Sequence, residues 1–393
     1  MRTVQIEEIS KKEEFLGTNP LTKEELNEAI QEVIKQIDLN MEYLQDKFPA
    51  PATKGLKYPI IDCIEWTDGF WTGMLWLAYE VTGDEKYRKH AEANILTFKH
   101  RIENRIEVDH HDLGFLYTPT CVAAYKLTGS EIAKETAILA ADKLIERFQE
   151  KGEFIQAWGE YNNPDHYRFI IDCLLNIPLL YWATEVTGNK KYEEIARKHF
   201  ETSINNVIRD DASAYHTFYM NHETGEPLRG ATRQGYSDDS SWARGQAWGV
   251  YGLALNYKYT KEKGIFGLYE GMTNYFLNRL PDDNVCYWDL IFINEAKQSR
   301  DSSAAAIACC GMNEMGKYLD DENSKVYQGA TNNILRSLIH NYTSKMHEEG
   351  DPVLYHGVYS WHSGKGVDEG NTWGDYYYFE ALVRMAKQWD PYW

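Results

Sequence analysis

The spacing of apolar and polar positions predicts a chain built almost entirely of helices. In residues 23–48, apolar side chains recur at intervals of three and four, as they do along one face of an amphipathic helix. The same inspection gives further helices at residues 68–81, 84–103, 113–127, 130–149, 172–186, 189–208, 241–259, 265–280, 302–318, 322–342 and 373–388. Strand signals are few and short, and most of them fall in the longer loops. The pattern therefore indicates an all-α fold.

A short repeat marks the turn between consecutive helices. The segments AYEVTGDEKY, AYKLTGSE and ATEVTGNKKY begin at residues 78, 124 and 183. Each ends one helix at Thr-Gly, where glycine supplies a left-handed residue, and starts the next helix from Asp84, Ser130 or Asn189, which are good N-cap residues. Two later turns, near residues 260–264 and 319–323, lack Thr-Gly but keep the same outline. The unit of the fold is therefore a helical hairpin.

The first and last helices stand alone in this scheme, and they can pair only if the array closes on itself. We therefore predict an (α/α)6 barrel of six helical hairpins, with an open helical solenoid as the alternative. The barrel is expected to form a single catalytic domain over residues 1–393, with residues 1–20 as an N-terminal extension.

Loop lengths place a binding site at one end of the barrel. The turns within hairpins are short, whereas the connections between hairpins are long, at residues 104–111, 150–171, 209–240, 281–301 and 343–372. In an alternating array all of the long connections emerge at the same end, and they carry Trp158, Arg229, Arg233, Trp288 and Trp361. Long loops on a rigid scaffold are a usual position for binding and catalytic residues.

Composition narrows the class of ligand. The chain contains 28 Tyr, 14 Phe and 12 Trp residues, and so many aromatic side chains beside abundant Asp and His suit a sugar-binding cleft. The formal net charge of −19 argues against nucleic acid and anionic membrane surfaces as partners. We therefore expect a small-molecule substrate, and a chain that is a monomer or a weak homo-oligomer.

Targeting signals and cysteine spacing favour a cytoplasmic protein. The N-terminal residues show no apolar leader, and no run approaches the roughly 18 apolar residues of a membrane span. The six cysteines show no CxxC pairing, so we expect reduced core residues and neither a disulfide framework nor a zinc site.

Aspartate recurs at or near the start of the first helix of five hairpins, at Asp68, Asp112, Asp172, Asp239 and Asp301. Because Asp is a preferred N-cap, most of the five are expected to be helix caps. In a closed barrel the same residues would also surround the mouth where the long loops converge. Carboxylates that lie close together raise the pKa of one member, so capping and acid–base chemistry are compatible.

Two of these aspartates have unusual neighbours. Asp172 stands between the pairs Ile170-Ile171 and Leu174-Leu175, where desolvation would raise its pKa and make it a candidate catalytic acid. Asp112 follows His110-His111, but no second cluster stands at metal-ligand spacing, so we predict no metal and no other cofactor. Two carboxylates at an aromatic-lined mouth suggest glycoside chemistry.

Several motifs resemble those of the unsaturated glucuronyl hydrolases, glycoside hydrolase family 88. They are Trp66 with Asp68-Gly-Phe-Trp71, His111-Asp112, Trp158, Asp172, His216, Gln234 and the segment SWARGQAWGVYG at residues 241–252. The resemblance spans about residues 20–390 and implies an (α/α)6 barrel, in agreement with the helix count. It also implies removal of 4,5-unsaturated glucuronic acid from the non-reducing end of lyase-generated disaccharides.

The resemblance assigns roles to individual residues. Asp172 would be general acid and base, protonating C4 of the vinyl ether before water adds at C5, and Asp112 would be the second acidic residue. Substrate would be held by Trp66, His111, Trp158, His216, Gln234, Arg244 and Trp248. Ser360, Ser363 and Lys365 match a pattern in members that prefer sulfated glycosaminoglycan disaccharides, so chondroitin or hyaluronan disaccharides are the expected substrates, with sulfate accepted.

Three alternatives remain open from the sequence. A related unsaturated rhamnogalacturonyl hydrolase would share the fold and the chemistry but act on pectin fragments. A sugar 2-epimerase of the same barrel would be an isomerase relying on paired histidines. A barrel that binds sugars without catalysis is the third.

Overall fold

The computed structural model describes residues 2–294, 297–319, 322–344 and 346–393. In these ranges the α-helices are α1 (Lys12–Leu16), α2 (Lys23–Leu44), α3 (Asp68–Thr82), α4 (Glu85–Glu103), α5 (Leu113–Tyr117), α6 (Ala123–Thr128), α7 (Glu131–Ile145), α8 (Cys173–Asn176), α9 (Pro178–Thr187), α10 (Lys190–Val207), α11 (Ala243–Thr260), α12 (Ile265–Leu277), α13 (Ser302–Gly316), α14 (Glu322–Asn341) and α15 (Thr372–Ala386). A π-helical turn, Thr118–Val122, joins α5 to α6, and a 3-10 turn spans Pro164–His166.

The helices from α2 to α15 form the twelve helices of the predicted barrel, and α1 lies outside it. The α5–π–α6 unit is one irregular helix, and α8 with α9 is another, because Pro178 at the start of α9 has no backbone N–H to continue the ladder. The inner helices contact one another in the order α3, α5, α8, α11, α13 and α15, and α15 returns to α3. The ring is therefore closed, and the prediction of an (α/α)6 barrel is confirmed.

Inner and outer helices differ in burial as the architecture requires. Almost every residue of α11 and α13 is buried, whereas α2 and α10 bury one face only. The inner helices approach closely through glycines. A Cβ on Gly114 in α5 would lie 2.4 Å from Asn176 Cα in α8, and one on Gly311 in α13 would lie 2.7 Å from Tyr251 Cα in α11.

Three hairpin turns have the geometry that the repeat predicts. Each glycine is left-handed, with φ of 69°, 71° and 73°, and the next side chain accepts a hydrogen bond from a backbone N–H of the following helix. The pairs are Gly83–Asp84, Gly129–Ser130 and Gly188–Asn189. Residues 320 and 321 of the turn predicted at 319–323, and residues 295, 296 and 345 of two predicted loops, lie outside the described residues.

The described strands are short and lie in the connections between helices. They are β1 (Phe48–Pro49), β2 (Ile60–Ile61), β3 (Phe148–Gln149), β4 (Phe154–Ile155), β5 (Arg168–Ile170), β6 (Thr217–Met220), β7 (Pro227–Ala231), β8 (Gly357–Ser360) and β9 (Lys365–Glu369). β5, β6 and β7 form one antiparallel sheet, in which Phe218 pairs with Phe169 and Gly230, and the other strands form two-stranded hairpins. The first predicted helix ends at Leu44 rather than 48, because Phe48 belongs to β1.

Residues 2–20 run along the outside of the barrel. Phe15 of α1 is buried against α14, and the Glu7 carboxylate lies 2.9 Å from the Arg279 guanidinium. In the described part of the chain, none of the helices has the length and apolar character that crossing a membrane requires.

Candidate active site

The long connections enclose an open cleft of about 890 Å³ above the starts of the inner helices. Its lining comes from the segments that precede α3, α5, α8, α11 and α15, as the loop lengths predict. The lining residues are Ile64, Glu65, Trp66, Glu107, His110, Asp112, Trp158, Ile170, Asp172, Arg233, Gln234 and Tyr359.

Asp172 lies on the floor of this cleft, in the turn between β5 and α8. The turn is fixed because the Ile171 N–H donates to the backbone oxygen of His216 at 3.0 Å. The carboxylate is 6% exposed, and its Oδ2 atom is buried without a hydrogen-bond partner among the described residues. Burial and the charge of Asp112 raise the pKa of Asp172 to about 7. Asp172 can therefore carry a proton near neutral pH.

Asp112 lies beside Asp172 but has the opposite electrostatic environment. Its Oδ1 atom is 3.2 Å from His111 Nε2, although neither ring nitrogen of His111 makes a well-directed hydrogen bond. Burial would raise the pKa of Asp112, but His111 and His110 outweigh burial and lower it below the usual Asp value. Asn176 connects the two aspartates, donating from Nδ2 to the Asp172 backbone oxygen at 3.2 Å and weakly to Asp112 Oδ1 at 3.5 Å. The cleft thus holds two carboxyl groups whose pKa values are shifted in opposite directions.

The hydrogen bonds of His110 define its tautomer. The backbone N–H of Asp112 donates to His110 Nδ1 at 3.1 Å, so the proton of the neutral ring is on Nε2, which donates to the Glu107 backbone oxygen at 3.0 Å. His110 therefore links the backbone of Glu107 to that of Asp112 in the segment before α5.

The prediction that most of the five aspartates are helix caps is wrong. Asp112, Asp172 and Asp301 occupy N-cap positions, yet none of their side chains makes a capping hydrogen bond. Asp68 is the first residue of α3 and pairs with Arg101 at 3.0 Å, and Asp239 precedes a helix that begins only at Ala243. These carboxylates pair with residues distant in the sequence or face the cleft, so they are not available to cap their own helices.

His216 and Gln234 form a second polar group next to Asp172. His216 Nδ1 accepts from the backbone N–H groups of Arg233 at 3.0 Å and Gln234 at 3.3 Å. Burial, with Arg244 and Arg233 nearby, lowers the pKa of His216 to about 3, so the ring is neutral and its proton is on Nε2. That N–H is buried without a partner among the described residues, and His216 itself does not line the cleft.

Arg244, which the resemblance assigns to substrate binding, does not line the cleft. Its guanidinium is buried and pairs with Asp301 at 2.8 Å, and it also donates to the backbone oxygens of Val358 and Tyr359. A further N–H of Arg244 donates to Gln234 Oε1 at 2.7 Å. Arg244 therefore orients Gln234, which does line the cleft.

Arg233 is the cation that faces the cleft. It is exposed, and the described residues provide no hydrogen bond or ion pair to its guanidinium. The Cζ atom lies 5.4 Å from the ring centroid of Trp158. The sequence placed Arg233 only in a long loop, and its position next to Gln234 was the one signal that could have singled it out.

The aromatic residues divide between the cleft and the core. Trp66 and Trp158 line the cleft, and Trp66 Nε1 donates to the Tyr359 hydroxyl at 2.9 Å. Trp248, which the resemblance assigns to substrate binding, is fully buried against Phe115 and does not line the cleft. His111 is also buried and lies beneath Asp112, where it can act only through that carboxylate.

The three residues matched to a sulfate-binding pattern lie on the β8–β9 hairpin. Ser360 and Lys365 are paired across its strands, and Ser363 Oγ donates to the Ser360 backbone oxygen at 3.3 Å. Lys365 Nζ is 4.3 Å from the ring centroid of Tyr359, which lines the cleft. Among the described residues no three His, Cys, Asp or Glu side chains form a metal-ligand group, and the six cysteines are buried and unpaired.

Comparison with known proteins agrees with this geometry. The model of Glycosyl Hydrolase Family 88 matches residues 27–390. The chain is 57% identical to an unsaturated chondroitin disaccharide hydrolase of Streptococcus pneumoniae (strain ATCC BAA-255 / R6), covering 100% of both chains. It superposes with a TM-score of 0.99 on the crystal structure of unsaturated glucuronyl hydrolase from Streptococcus agalactiae, at 56% identity and 100% coverage of each.

A second solved structure is a mutant of the Streptococcus agalactiae enzyme complexed with dGlcA-GalNAc6S. It matches with a TM-score of 0.91 and 53% identity over 100% of both chains. Family match, identity and fold agree over the whole length, and the chain belongs to glycosyl hydrolase family 88.

Proposed function

We propose that the protein hydrolyses unsaturated chondroitin disaccharides, releasing the 4,5-unsaturated glucuronic acid from their non-reducing end. The observation that carries the proposal is the pair of carboxyl groups lining one cleft, in which the pKa of Asp172 is raised to about 7 and that of Asp112 is lowered. Support also comes from the relatives named as unsaturated chondroitin disaccharide hydrolases, at 56–57% identity over the full chain.

The first chemical step uses the proton of Asp172. The carboxyl group of Asp172 gives its proton to C4 of the substrate, and the electrons of the C4=C5 double bond form the new C4–H bond. Positive charge develops at C5 and is shared with the ring oxygen, while Asp172 becomes a carboxylate. Its pKa of about 7 keeps the acid form available without making it a poor donor.

The second step returns the proton to Asp172. Water attacks C5 and loses a proton to the Asp172 carboxylate, which leaves a hemiketal. The C5–O5 bond of the hemiketal then breaks to give a C5 ketone and an open C1 hemiacetal, which collapses to an aldehyde and the free partner sugar. One water is consumed, and Asp172 ends in its starting state, so a single carboxyl group serves as both acid and base.

The other residues of the cleft bind and orient the disaccharide. Trp66 and Trp158 provide apolar faces for the sugar rings. Arg233 and Gln234 face the position of the uronate carboxylate, and the free Nε2–H of His216 donates to a substrate oxygen. Arg244 and His111 act indirectly, through Gln234 and Asp112.

The β8–β9 hairpin supplies the groups for a sulfate on the amino sugar. Two hydroxyls, of Ser360 and Ser363, and the Lys365 ammonium lie within one short hairpin beside Tyr359. The complex of the Streptococcus agalactiae mutant with dGlcA-GalNAc6S supports a sulfated disaccharide as substrate.

The test is loss of the ultraviolet absorbance of the unsaturated ring across a panel of disaccharides. We expect turnover of unsulfated and sulfated chondroitin disaccharides, and no turnover of an unsaturated rhamnogalacturonan disaccharide. The variant Asp172→Asn should bind the disaccharide but lose at least about a hundredfold in kcat. Interconversion of sugars without loss of absorbance would indicate an epimerase, and unchanged binding and turnover in the variant would refute the mechanism.

A further inference from the structure

The cleft is acidic on one side although its proposed substrate is an anion. Glu65 and Glu107 line the cleft in addition to the two aspartates, and neither glutamate carboxylate has a hydrogen bond or an ion pair within the described residues. Glu65 precedes α3 and Glu107 precedes α5, which are neighbours in the inner ring. Arg233 precedes α11, which lies across the ring from α3. We call Glu65 and Glu107 the acidic wall.

One buried arginine holds both segments of the acidic wall in place. Arg101 is 1% exposed and donates to the backbone oxygens of Glu65 at 3.0 Å, Glu107 at 2.8 Å and Ile106 at 3.1 Å. It also pairs with Asp68 at 3.0 Å. Arg101 therefore fixes the main chain of both glutamates while leaving their carboxylates without a cation.

The backbone at Glu107 is strained. Its φ is +45°, a left-handed conformation that costs a non-glycine residue on the order of 1–3 kcal/mol unless the surroundings impose it. The hydrogen bonds from Arg101 and His110 to the Glu107 oxygen impose it here. The chain thus maintains an unfavourable conformation that presents an unpaired carboxylate to the cleft.

We propose that the acidic wall determines specificity by rejecting disaccharides that carry an anionic group on the side of Glu65 and Glu107. This inference rests on the proposed function. In the proposed binding mode, the uronate carboxylate faces Arg233, which lines the cleft, and one sulfate faces Ser360 and Lys365 of the β8–β9 hairpin. A second sulfate that faces the acidic wall meets two uncompensated carboxylates and is repelled. Disulfated disaccharides are therefore poorer substrates than monosulfated ones.

The experiment compares the native protein with Glu65→Gln, Glu107→Gln and the double variant. For each, kcat and KM are measured with unsulfated, monosulfated and disulfated unsaturated chondroitin disaccharides. The ratio of kcat/KM for disulfated over unsulfated substrate should rise by about three- to tenfold per glutamate, mainly through KM, because each variant removes one charge in a partly solvated site. Glutamine keeps the shape of the side chain, and the contacts of Arg101 are to the backbone.

A matched control and the salt dependence separate a local effect from a global one. Glu194 is exposed on α10, outside the cleft, and Glu194→Gln changes the net charge by the same amount. Its kcat/KM ratio should equal that of the native protein. In the native protein the discrimination should shrink as ionic strength rises, since salt screens partly exposed charges, and the double variant should show a flatter response.

The outcomes distinguish this inference from the proposed function. Absence of turnover of every unsaturated disaccharide by the native protein would overturn the proposed function, and the acidic wall with it. Turnover with an unchanged ratio in the double variant would overturn the acidic wall alone. The acidic wall would also be overturned if the variants lose activity equally on all substrates, or if Glu194→Gln relaxes the ratio as much.

Discussion

Asp172 and Asp112 are close in space, yet their environments move their pKa values in opposite directions. Asp172 is buried and has no partner for Oδ2 among the described residues, so burial favours its neutral form. Asp112 has two histidines against it, and its own negative charge further raises the pKa of Asp172. Separated pKa values are the property that assigns acid and base roles to a pair of carboxyl groups.

The pH dependence of activity follows from this pair. As pH rises through about 7, Asp172 loses the proton that C4 requires, so kcat/KM should fall. In Asp112→Asn the repulsion that raises the pKa of Asp172 is gone, so the residual activity should decline at lower pH than in the native protein. The measurement is the pH profile of kcat/KM for both proteins with one disaccharide. An alkaline limb that stays in place or moves to higher pH in Asp112→Asn would contradict the proposed coupling.

The two acidic residues of the cleft can be predicted from the sequence, but not every residue that lines it. Asp172 was recognisable from its apolar neighbours, and the structure brings Asp112, Trp66, Trp158 and Gln234 to the same cleft. Whether an arginine faces a ligand depends on charges that are distant in the sequence. Arg244 is neutralised by Asp301, and no local pattern reveals that pairing.

At the scale of helices, local rules predicted the turns well and the inner-helix starts poorly. The Thr-Gly turns need only neighbouring residues, and all three formed as the repeat indicates. At the starts of three inner helices, Asp68 pairs with Arg101, Asp301 with Arg244, and Asp112 with the histidines, instead of with the helix backbone. Tertiary partners outcompete a cap there, since a cap contributes only about 1 kcal/mol.

Gly114 tests the close approach of α5 and α8. A Cβ at this position would lie 2.4 Å from Asn176 Cα and 2.7 Å from Asn176 Oδ1. Gly114→Ala should lower the free energy of unfolding by about 1–3 kcal/mol through overpacking, and it should also reduce kcat because Asn176 contacts both aspartates.

Gly267 in α12 is the matched control, because a Cβ there meets nothing within 4 Å. Gly267→Ala should stabilise the protein by about 0.5–1 kcal/mol and leave kcat unchanged, since alanine is the better helix former. Urea unfolding and steady-state kinetics measure both variants. A neutral effect of Gly114→Ala on stability would show that α5 and α8 can move apart.

Across the whole molecule, the end of the barrel opposite the cleft is held by a buried ionic cluster. The Arg384 guanidinium pairs with Glu380 at 2.9 Å and Glu314 at 2.7 Å, and it donates to the Tyr251 hydroxyl at 2.6 Å. These residues lie on α15, α13 and α11, so the cluster joins three consecutive inner helices. The ion pairs of the cluster offset the cost of burying its charged groups, because each charge would be strongly destabilising if it were buried alone.

Arg384→Met should therefore destabilise the barrel by about 3–5 kcal/mol, because the buried Glu380 carboxylate loses its cation and Glu314 keeps only Lys317, at 2.8 Å. Lys387→Met is the control. Lys387 pairs with Glu80 at 3.2 Å, but its side chain is 38% exposed, so its loss should cost at most about 1 kcal/mol. The free energy of unfolding in urea gives both values. Equal effects of the two variants would mean that the cluster adds nothing beyond an exposed pair.

The closed ring has a further consequence for an acidic protein that acts on an anion. Inner helices alternate with outer ones, so the six inner helices run in the same direction, and five of them, α3, α5, α8, α11 and α15, begin at the cleft. Each helix start carries roughly half a positive charge from its aligned peptide dipoles. The backbone thus adds a positive contribution to the potential of a cleft that also holds Asp112, Glu65 and Glu107, in a chain of net charge −19. This contribution involves no titratable group, so it is the same at any pH at which the barrel stays folded.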